Sequence, residues 1–268
     1  MTSWTISEPT ELDFDRVKAL RVRIVAGSVN VVGTDDAARL EVTELEGPPL
    51  LATLEDGELV VTYEDVSWRG ILSWVTSGTR HATVSLAVPW DCSVQLGVVT
   101  ASATVSGIHG RTSVKSVSGE VTLEGLTDTV EAETISGALQ TRSLAGDLRF
   151  STVSGDLTVV DGSSNELRAN SVSGDVTLDI DLMSGGRVDL TSISGHIQVR
   201  VPHDSGLHVE LGSASGSVGS AFDGLSGEQV PGGRRIEGVL GSGAGALRAS
   251  TVSGDVTVLR REPAGAAL

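Results

Sequence analysis

Serine and acidic residues recur in this chain at a spacing that could build a row of reactive groups. Seven Ser-Gly pairs share one register, and their serines are separated by 18, 18, 19, 21, 21 and 38 residues. Acidic residues follow several of these glycines. Such a pattern could serve nucleophilic catalysis by the serines, or calcium binding and acid–base catalysis by the carboxylates. The serines are Ser118, Ser136, Ser154, Ser173, Ser194, Ser215 and Ser253.

The serines lack the partners that a catalytic nucleophile needs. A nucleophile requires a base and an orienting group within hydrogen-bonding reach. Only Ser194 has a histidine beside it in the repeat, His196. Because a hydroxyl at a turn commonly bonds a nearby backbone group, these serines are predicted to be structural.

The acidic residues offer the best candidate for a metal site, at Asp156 and Asp175. Stacked aspartates at the turns of β-roll repeats bind calcium. Here the column is interrupted by Ala138, His196 and Ser217, and the Gly-Gly-x-Gly signature of those repeats is missing. Aspartate after glycine is also ordinary turn chemistry, so the pair is a weak metal candidate and no cofactor is predicted.

The residues around each Ser-Gly pair alternate between apolar and polar, which predicts short strands with one buried face. One strand precedes the pair, as in Leu148–Thr152, and another follows it, as in 157–159. The glycine is expected to supply the turn conformation between them. The apolar residue before the serine is expected to shift the inward phase by one position. This residue is Val117, Ile135, Val153, Val172, Ile193, Ala214 or Val252.

Repeats of this length with two strands each are typical of solenoids. Stacking equivalent strands in parallel places like residues on like, with a step of about 4.8 Å for each coil. The predicted fold class is therefore all-β, a parallel β-solenoid (β-helix) with 18 to 21 residues in a regular coil. Phe150, the only aromatic residue of the regular coils, is predicted to point inward.

The solenoid is predicted to run from residue 18 to residue 260. Two excursions from the coil are expected, at about 33–82 and 219–246, where the repeat pattern is lost. Residues 1–17 are predicted to form an N-terminal cap, because an exposed solenoid end has to be covered. Residues 261–268 are predicted to be a flexible tail.

A tryptophan-bearing segment in the first excursion is the least repeat-like apolar stretch. It contains Trp68, Ile71, Leu72 and Trp74, and it follows a hairpin expected at 55–58. Soluble monomers seldom leave so large an apolar patch uncovered. The segment is therefore predicted either to fold over the coils or to bind a protein partner or a second copy of the chain.

Composition limits the classes of partner. The formal net charge of −16 disfavours nucleic acid, because phosphate binding relies on Lys and Arg. No stretch approaches the ~20 apolar residues of a membrane span, and the N-terminal residues lack the pattern of a signal peptide. The expected location is therefore the cytoplasm. Cys92 is the only cysteine, so no intramolecular disulfide can form.

The function predicted from these features is a non-catalytic scaffold or protein-interaction module. The alternatives are a β-helix enzyme acting on polysaccharides, a calcium-binding surface repeat protein, and a threonine ladder that binds ordered water. Sugar-binding grooves normally stack sugars on aromatic rings, yet Phe150 is the only Trp, Tyr or Phe between residues 91 and 221. No enzymatic activity is therefore predicted.

Several segments resemble a known bacterial family. They are the repeated [ST]-[VI]-S-G-[DE]-[VL]-T-[VL] blocks, VRIVAGSVNVVGTD, and AVPWDCSVQLGVVTAS. Over residues 18–260 the chain is similar to the bacterial β-strand-repeat family named "putative adhesin", whose function is unknown. The resemblance implies a right-handed parallel β-solenoid and no established catalytic residues.

Overall fold

The computed structural model describes residues 2–63 and 80–262, and these ranges contain strands and turns but no helix. The predicted all-β class is confirmed for them. The described part of the chain thus offers no helix with the length and hydropathy of a membrane span. The chain divides into two compact units, Met1–Glu131 and Ala132–Leu268, which are described in turn as the first and the second unit.

The strands follow one another through both units. In the first unit they are β1 (Thr2–Ile6), β2 (Thr10–Phe14), β3 (Ala19–Ile24), β4 (Ala26–Thr34), β5 (Ala38–Glu46), β6 (Leu50–Glu55), β7 (Glu58–Tyr63), β8 (His81–Pro89), β9 (Ser93–Val98), β10 (Ser102–Ser106), β11 (Thr112–Ser116) and β12 (Val121–Glu124). The sequence boundary between the units falls within β13 (Val130–Thr134). In the second unit they are β14 (Leu139–Arg142), β15 (Leu148–Thr152), β16 (Leu157–Ser171), β17 (Val176–Thr191), β18 (Ile197–Pro202), β19 (Leu207–Ser213), β20 (Val218–Ser220), β21 (Ser226–Val230), β22 (Gly233–Leu240), β23 (Gly245–Thr251) and β24 (Val256–Arg261).

Most strands of the first unit pair in parallel, in two rows. Strands that precede the turn of a repeat form the leading row, in the order β7, β3, β9, β11. Strands that follow the turn form the trailing row, in the order β8, β4, β10, β12. β7 and β8 therefore lie outside β3 and β4 although they come later in the chain, so the repeats are not stacked in sequence order.

Antiparallel strands extend both rows of the first unit. β6 pairs with β7 and β1 with β6, while β5 pairs with β8 and β2 with β5. The hairpin predicted at 55–58 is confirmed, because Glu55 and Glu58 are register partners. Its two turn residues, Asp56 and Gly57, have φ values of 52° and 85°, as a tight two-residue hairpin requires.

The predicted cap residues 1–17 contain β1 and β2, the outermost strands of these antiparallel extensions. Phe14 is buried, and the ring of Trp4 meets it edge to face with centroids 5.1 Å apart. β5 to β7 lie in the first predicted excursion, and β21 and β22 lie in the second. The boundaries assigned to cap, coils, excursions and tail stay predictions.

The second unit also contains two parallel rows. Its leading row has the order β15, β16, β17, β23, β19, and its trailing row has the order β14, β16, β17, β18, β24, β20. The long strands β16 and β17 contribute to both rows. β23 lies between β17 and β19, and β24 lies between β18 and β20, so here too the order in space differs from the order in sequence. β22 pairs antiparallel with β19, and β21 with β22.

Like residues stack on like in the second unit, as parallel in-register pairing requires. Thr158 pairs with Thr177, and Leu157 pairs with Val176. The inward residues are mainly Val, Leu and Ile, which form the core. Phe150 is 1% exposed, so its predicted inward orientation is confirmed.

The apolar residue before each serine does not continue the inward face, which corrects the sequence-based expectation. In the second unit the Val and Ile side chains at this position are 42–53% exposed, and Ala214 is exposed as well. The preceding small residue is the last inward one, because its hydroxyl bonds the backbone of the glycine three positions later, as Thr152 does with Gly155. The chain therefore turns outward immediately after it. The exposed Val and Ile residues are Ile135, Val153, Val172, Ile193 and Val252.

The glycines of the Ser-Gly pairs are required for a different reason from the one expected. Gly155 and Gly174 are not among the glycines with positive φ. Instead, a Cβ on Gly174 would lie 1.9 Å from the carbonyl oxygen of Gly155, and a Cβ on Gly195 would lie 2.0 Å from that of Gly174. Glycine is needed because successive turns stack backbone on backbone.

Candidate functional site

Buried hydroxyls close the turns at Gly155, Gly174, Gly195, Gly216 and Gly254 in the second unit. Ser171 Oγ accepts a hydrogen bond from the Gly174 N–H at 2.8 Å. Ser213 Oγ accepts one from the Gly216 N–H at 2.8 Å and donates one to the Gly254 carbonyl, also at 2.8 Å. The sequence showed only that this inward position is Ser or Thr; the signal that was missed is that a buried hydroxyl needs a partner. These hydroxyls hold the turns and are not exposed to a substrate.

The serines of the Ser-Gly pairs bond the backbone of the neighbouring repeat. Ser173 Oγ donates to the Val153 carbonyl at 3.2 Å, and Ser215 Oγ donates to the Val252 carbonyl at 3.0 Å. The predicted bond from these hydroxyls to backbone groups is confirmed. The same bond occurs at Ser118, Ser154, Ser194 and Ser253.

Asp156 and Asp175 also bond the backbone of the next repeat. The Asp156 carboxylate accepts a hydrogen bond from the Asp175 N–H at 2.8 Å, and the Asp175 carboxylate accepts one from the His196 N–H at 2.7 Å. Asp255 does the same with the Ser217 N–H at 2.7 Å, and this backbone bond, followed by a side-chain bond from the same residue, lowers the pKa of Asp255. These carboxylates therefore act first as acceptors that align successive turns.

The described residues contain no group of three or more His, Cys, Asp or Glu arranged to hold a metal ion. The weak metal assignment at Asp156 and Asp175 thus gains no third ligand of these types in residues 2–63 and 80–262. Burial raises the pKa of the Cys92 thiol to about 12, with the charge of Asp91 adding to it. At neutral pH this cysteine is a thiol, and it is a poor nucleophile.

A groove of about 500 Å³ lies over β19 and β23. Glu210 lines it and forms ion pairs with Arg235 and with Arg248, the latter at 3.4 Å. Gly212 also lines the groove, and an added Cβ there would have no atom within 4 Å. Glu210, Arg235 and Arg248 of the groove are therefore engaged with one another at an exposed surface.

The exposed apolar side chains form what we call the corner ridge: Ile135, Val153, Val172, Ile193 and Val252. Successive ridge residues are neighbours in space. The serine that follows one ridge residue donates its backbone N–H to the carbonyl of the ridge residue in the neighbouring turn. These bonds run from Ser154 to Ile135, Ser173 to Val153, Ser194 to Val172 and Ser253 to Ile193, at 2.8–2.9 Å. At about 4.8 Å for each repeat, the five side chains extend over roughly 19 Å.

The partner-binding residues predicted from the sequence, Trp68, Ile71, Leu72 and Trp74, lie outside the described residues. The corner ridge was missed as a surface because its side chains are apolar and were assigned inward. The signal that could have revealed it is the combination of an apolar residue with an immediately preceding Ser or Thr that already occupies the inward position.

Comparisons with known proteins agree with the resemblance seen in the sequence. Residues 28–259 match the model of the family described as Toastrack DUF4097. A search of curated proteins finds no match. A solved structure named a "putative adhesin" from Bacteroides fragilis NCTC 9343 shares 11% identity, covering 95% of this chain and 98% of that one, with a TM-score of 0.49. A "putative lipid binding protein" from Parabacteroides distasonis ATCC 8503 shares 10%, covering 94% and 97%, with a TM-score of 0.43.

Proposed function

The chain belongs to the Toastrack DUF4097 family, and from this premise we propose that it is a non-catalytic repeat scaffold that acts by binding another protein. The observation that carries the proposal is the use of the repeated polar groups. Inner hydroxyls, outer serines and turn aspartates each bond backbone groups of the repeats. Because these polar groups are engaged in hydrogen bonds within the fold, they stabilise the repeats, and the repeats can present a rigid surface to a partner.

In this proposal the protein is a right-handed parallel β-solenoid with 18 to 21 residues in a regular coil. Each coil contributes one strand to the leading row and one to the trailing row. The in-register pairing of β15 with β16 and of β17 with β18 supports it. A rigid array of this kind presents side chains at fixed intervals, which suits recognition of an extended or helical partner.

The tryptophan-bearing segment remains the binding site that we propose for the first unit. We expect the double change Trp68→Ser with Trp74→Ser to leave the β-type circular dichroism unchanged and to abolish association with the partner or with a second copy. The physical reason is that the change removes the two largest apolar surfaces of the segment. Thermal unfolding, sedimentation velocity and pull-down from native cells are measured on the same sample.

Trp90→Ser is the matched control, because Trp90 is an exposed tryptophan in the described part of the first unit. This replacement is expected to leave association intact. A collapse of the melting temperature of the double variant, with unchanged association per folded molecule, would make the segment a structural cover. Turnover of a polysaccharide by the purified chain would contradict the proposal that the scaffold is non-catalytic.

A further inference from the structure

We propose that the corner ridge, together with the acidic residues beside it, is a docking surface for a cationic amphipathic helix of a partner protein. This inference rests on the proposed binding function, but it concerns a surface in the second unit and not the tryptophan-bearing segment. Its basis is the coincidence of an exposed aliphatic line with carboxylates in two neighbouring repeats, at Asp156 and Asp175.

The spacing of the ridge suits a helix. Ridge side chains recur about every 4.8 Å, and one turn of an α-helix rises about 5.4 Å. Residues that share one face of a partner strand would recur only about every 6.8 Å. A helix of about 13 residues spans the roughly 19 Å of the ridge, so each helical turn can bring one apolar side chain to about one repeat.

The charges beside the ridge select a cationic partner. Asp156, Asp175 and Asp255 each lie three positions after a ridge residue, and the first two are exposed. Ala138 and His196 hold the same position in the other two repeats, and His196 Nδ1 lies 3.5 Å from the Asp255 carboxylate. Among the described residues, the unpartnered charge of this flank therefore lies at Asp156 and Asp175. Backbone hydrogen bonds hold the Asp156 and Asp175 carboxylates against the neighbouring repeats, three positions after their ridge residues. The exposed positions two residues before the ridge hold Glu133, Ser151, Asn170, Thr191 and Ser250.

Neither these flanking positions nor the ridge itself carries Lys or Arg, in a chain whose formal net charge is −16. Arg234 of β22 lies near Asp255, so Asp156 and Asp175 are the carboxylates left for a partner. Lysine and arginine on one flank of a helix would therefore meet carboxylates, and its apolar face would cover the ridge. Such complementarity gives orientation and a fast, salt-dependent association.

The surface is less suited to other occupants. Five Val and Ile side chains that are 42–53% exposed are too few to supply the ~800 Å² that each partner contributes to a stable protein–protein interface. A second copy would also bring one acidic row toward another. An anionic membrane would be repelled by the same carboxylates.

The test uses fluorescence anisotropy with the full chain and two labelled synthetic 15-residue peptides. Both peptides have leucine on one helical face, and the polar face carries lysine in one and glutamate in the other. We expect the lysine peptide to bind with a dissociation constant in the micromolar range that weakens as salt rises. Binding of the glutamate peptide should be at least tenfold weaker.

Two variants separate the apolar and the charged contributions. The triple change Val153→Thr, Val172→Thr and Ile193→Thr keeps branched side chains at exposed positions. We expect it to weaken the binding of the lysine peptide at least tenfold. The double change Asp156→Asn and Asp175→Asn keeps the acceptors for the backbone but removes the charges. It should weaken binding several-fold and flatten the salt dependence, while the melting temperature of both variants stays close to that of the unmodified chain.

Val239→Thr is the matched control, since Val239 is 49% exposed in β22 and lies off the ridge, and it should bind like the unmodified chain. The inference is overturned if the lysine peptide does not bind, if both peptides bind alike, or if the triple variant binds normally. It is also overturned if the triple change instead abolishes self-association in sedimentation, or binding to phosphatidylcholine vesicles. If a native protein partner binds the chain and its triple variant equally, the ridge inference fails while the proposed binding function stands.

Discussion

Replacing Gly174 by alanine is expected to lower the free energy of unfolding by about 3 kcal/mol or more. The new Cβ would lie 1.9 Å from the Gly155 carbonyl oxygen and 2.6 Å from its carbon. Both atoms belong to a backbone that is hydrogen-bonded into the stack, so no flexible side chain can move aside. The measurement is urea unfolding monitored by circular dichroism. The free energies of unfolding of the variant and of the unmodified chain are compared with the same m-value for both.

Gly212→Ala is the matched control, because nothing lies within 4 Å of its added Cβ and its φ is not positive. This change should alter stability by no more than about 1 kcal/mol, and it can be stabilising because alanine restricts the unfolded chain. Asp175→Ala should also lower the free energy of unfolding by less than Gly174→Ala does. Equal losses at Gly174 and Gly212 would contradict backbone stacking, and a larger, calcium-dependent loss at Asp175 would favour a metal site.

Phe150→Ala is expected to cost about 3–5 kcal/mol of stability, because it removes the largest inward side chain of the regular coils. Phe150 is 1% exposed, and its register partner on β16 is Ala169, which is too small to fill the resulting cavity. The same urea measurement applies. Val153→Ala, three residues away and 50% exposed, should change stability by less than about 1 kcal/mol. A similarly small change for Phe150→Ala would show that the register of β15 is wrong.

The strands, their parallel pairing and the burial of Phe150 could be predicted because period-2 alternation and the spacing of the Ser-Gly pairs report them directly. The order of the repeats could not. Nearly identical repeats present the same edges, so nothing local determines that β7 and β8 lie outside β3 and β4, or that β23 lies between β17 and β19.

The turn was predicted less well because residue type does not reveal why a residue is required. Glycine serves positive φ and close backbone approach equally well, and Gly174 is needed for the second reason. Valine normally indicates burial, yet Val172 is exposed because Ser171 already occupies the inward position and bonds Gly174. The candidate binding surface of the second unit therefore became visible only with the geometry of the turn.

The most direct test of the account is a disulfide between ridge residues of successive repeats. Val153→Cys with Val172→Cys places two cysteines in stacked turns, directly after β15 and β16, with Cα atoms about 4.8 Å apart, within the Cα separation that a disulfide spans. Val153→Cys with Ile193→Cys places them two repeats apart, at about 9.6 Å, beyond that separation. Native Cys92 does not compete, because it is buried and its pKa is raised to about 12.

The measurement is the intact mass and the free-thiol count after mild oxidation of each double variant. In-register stacking with the ridge outward predicts an intramolecular disulfide in the 153/172 variant and retention of both thiols in the 153/193 variant. Oxidation of the 153/193 variant, or its failure in the 153/172 variant, would contradict the stacking on which the fold, the ridge and the proposed function depend.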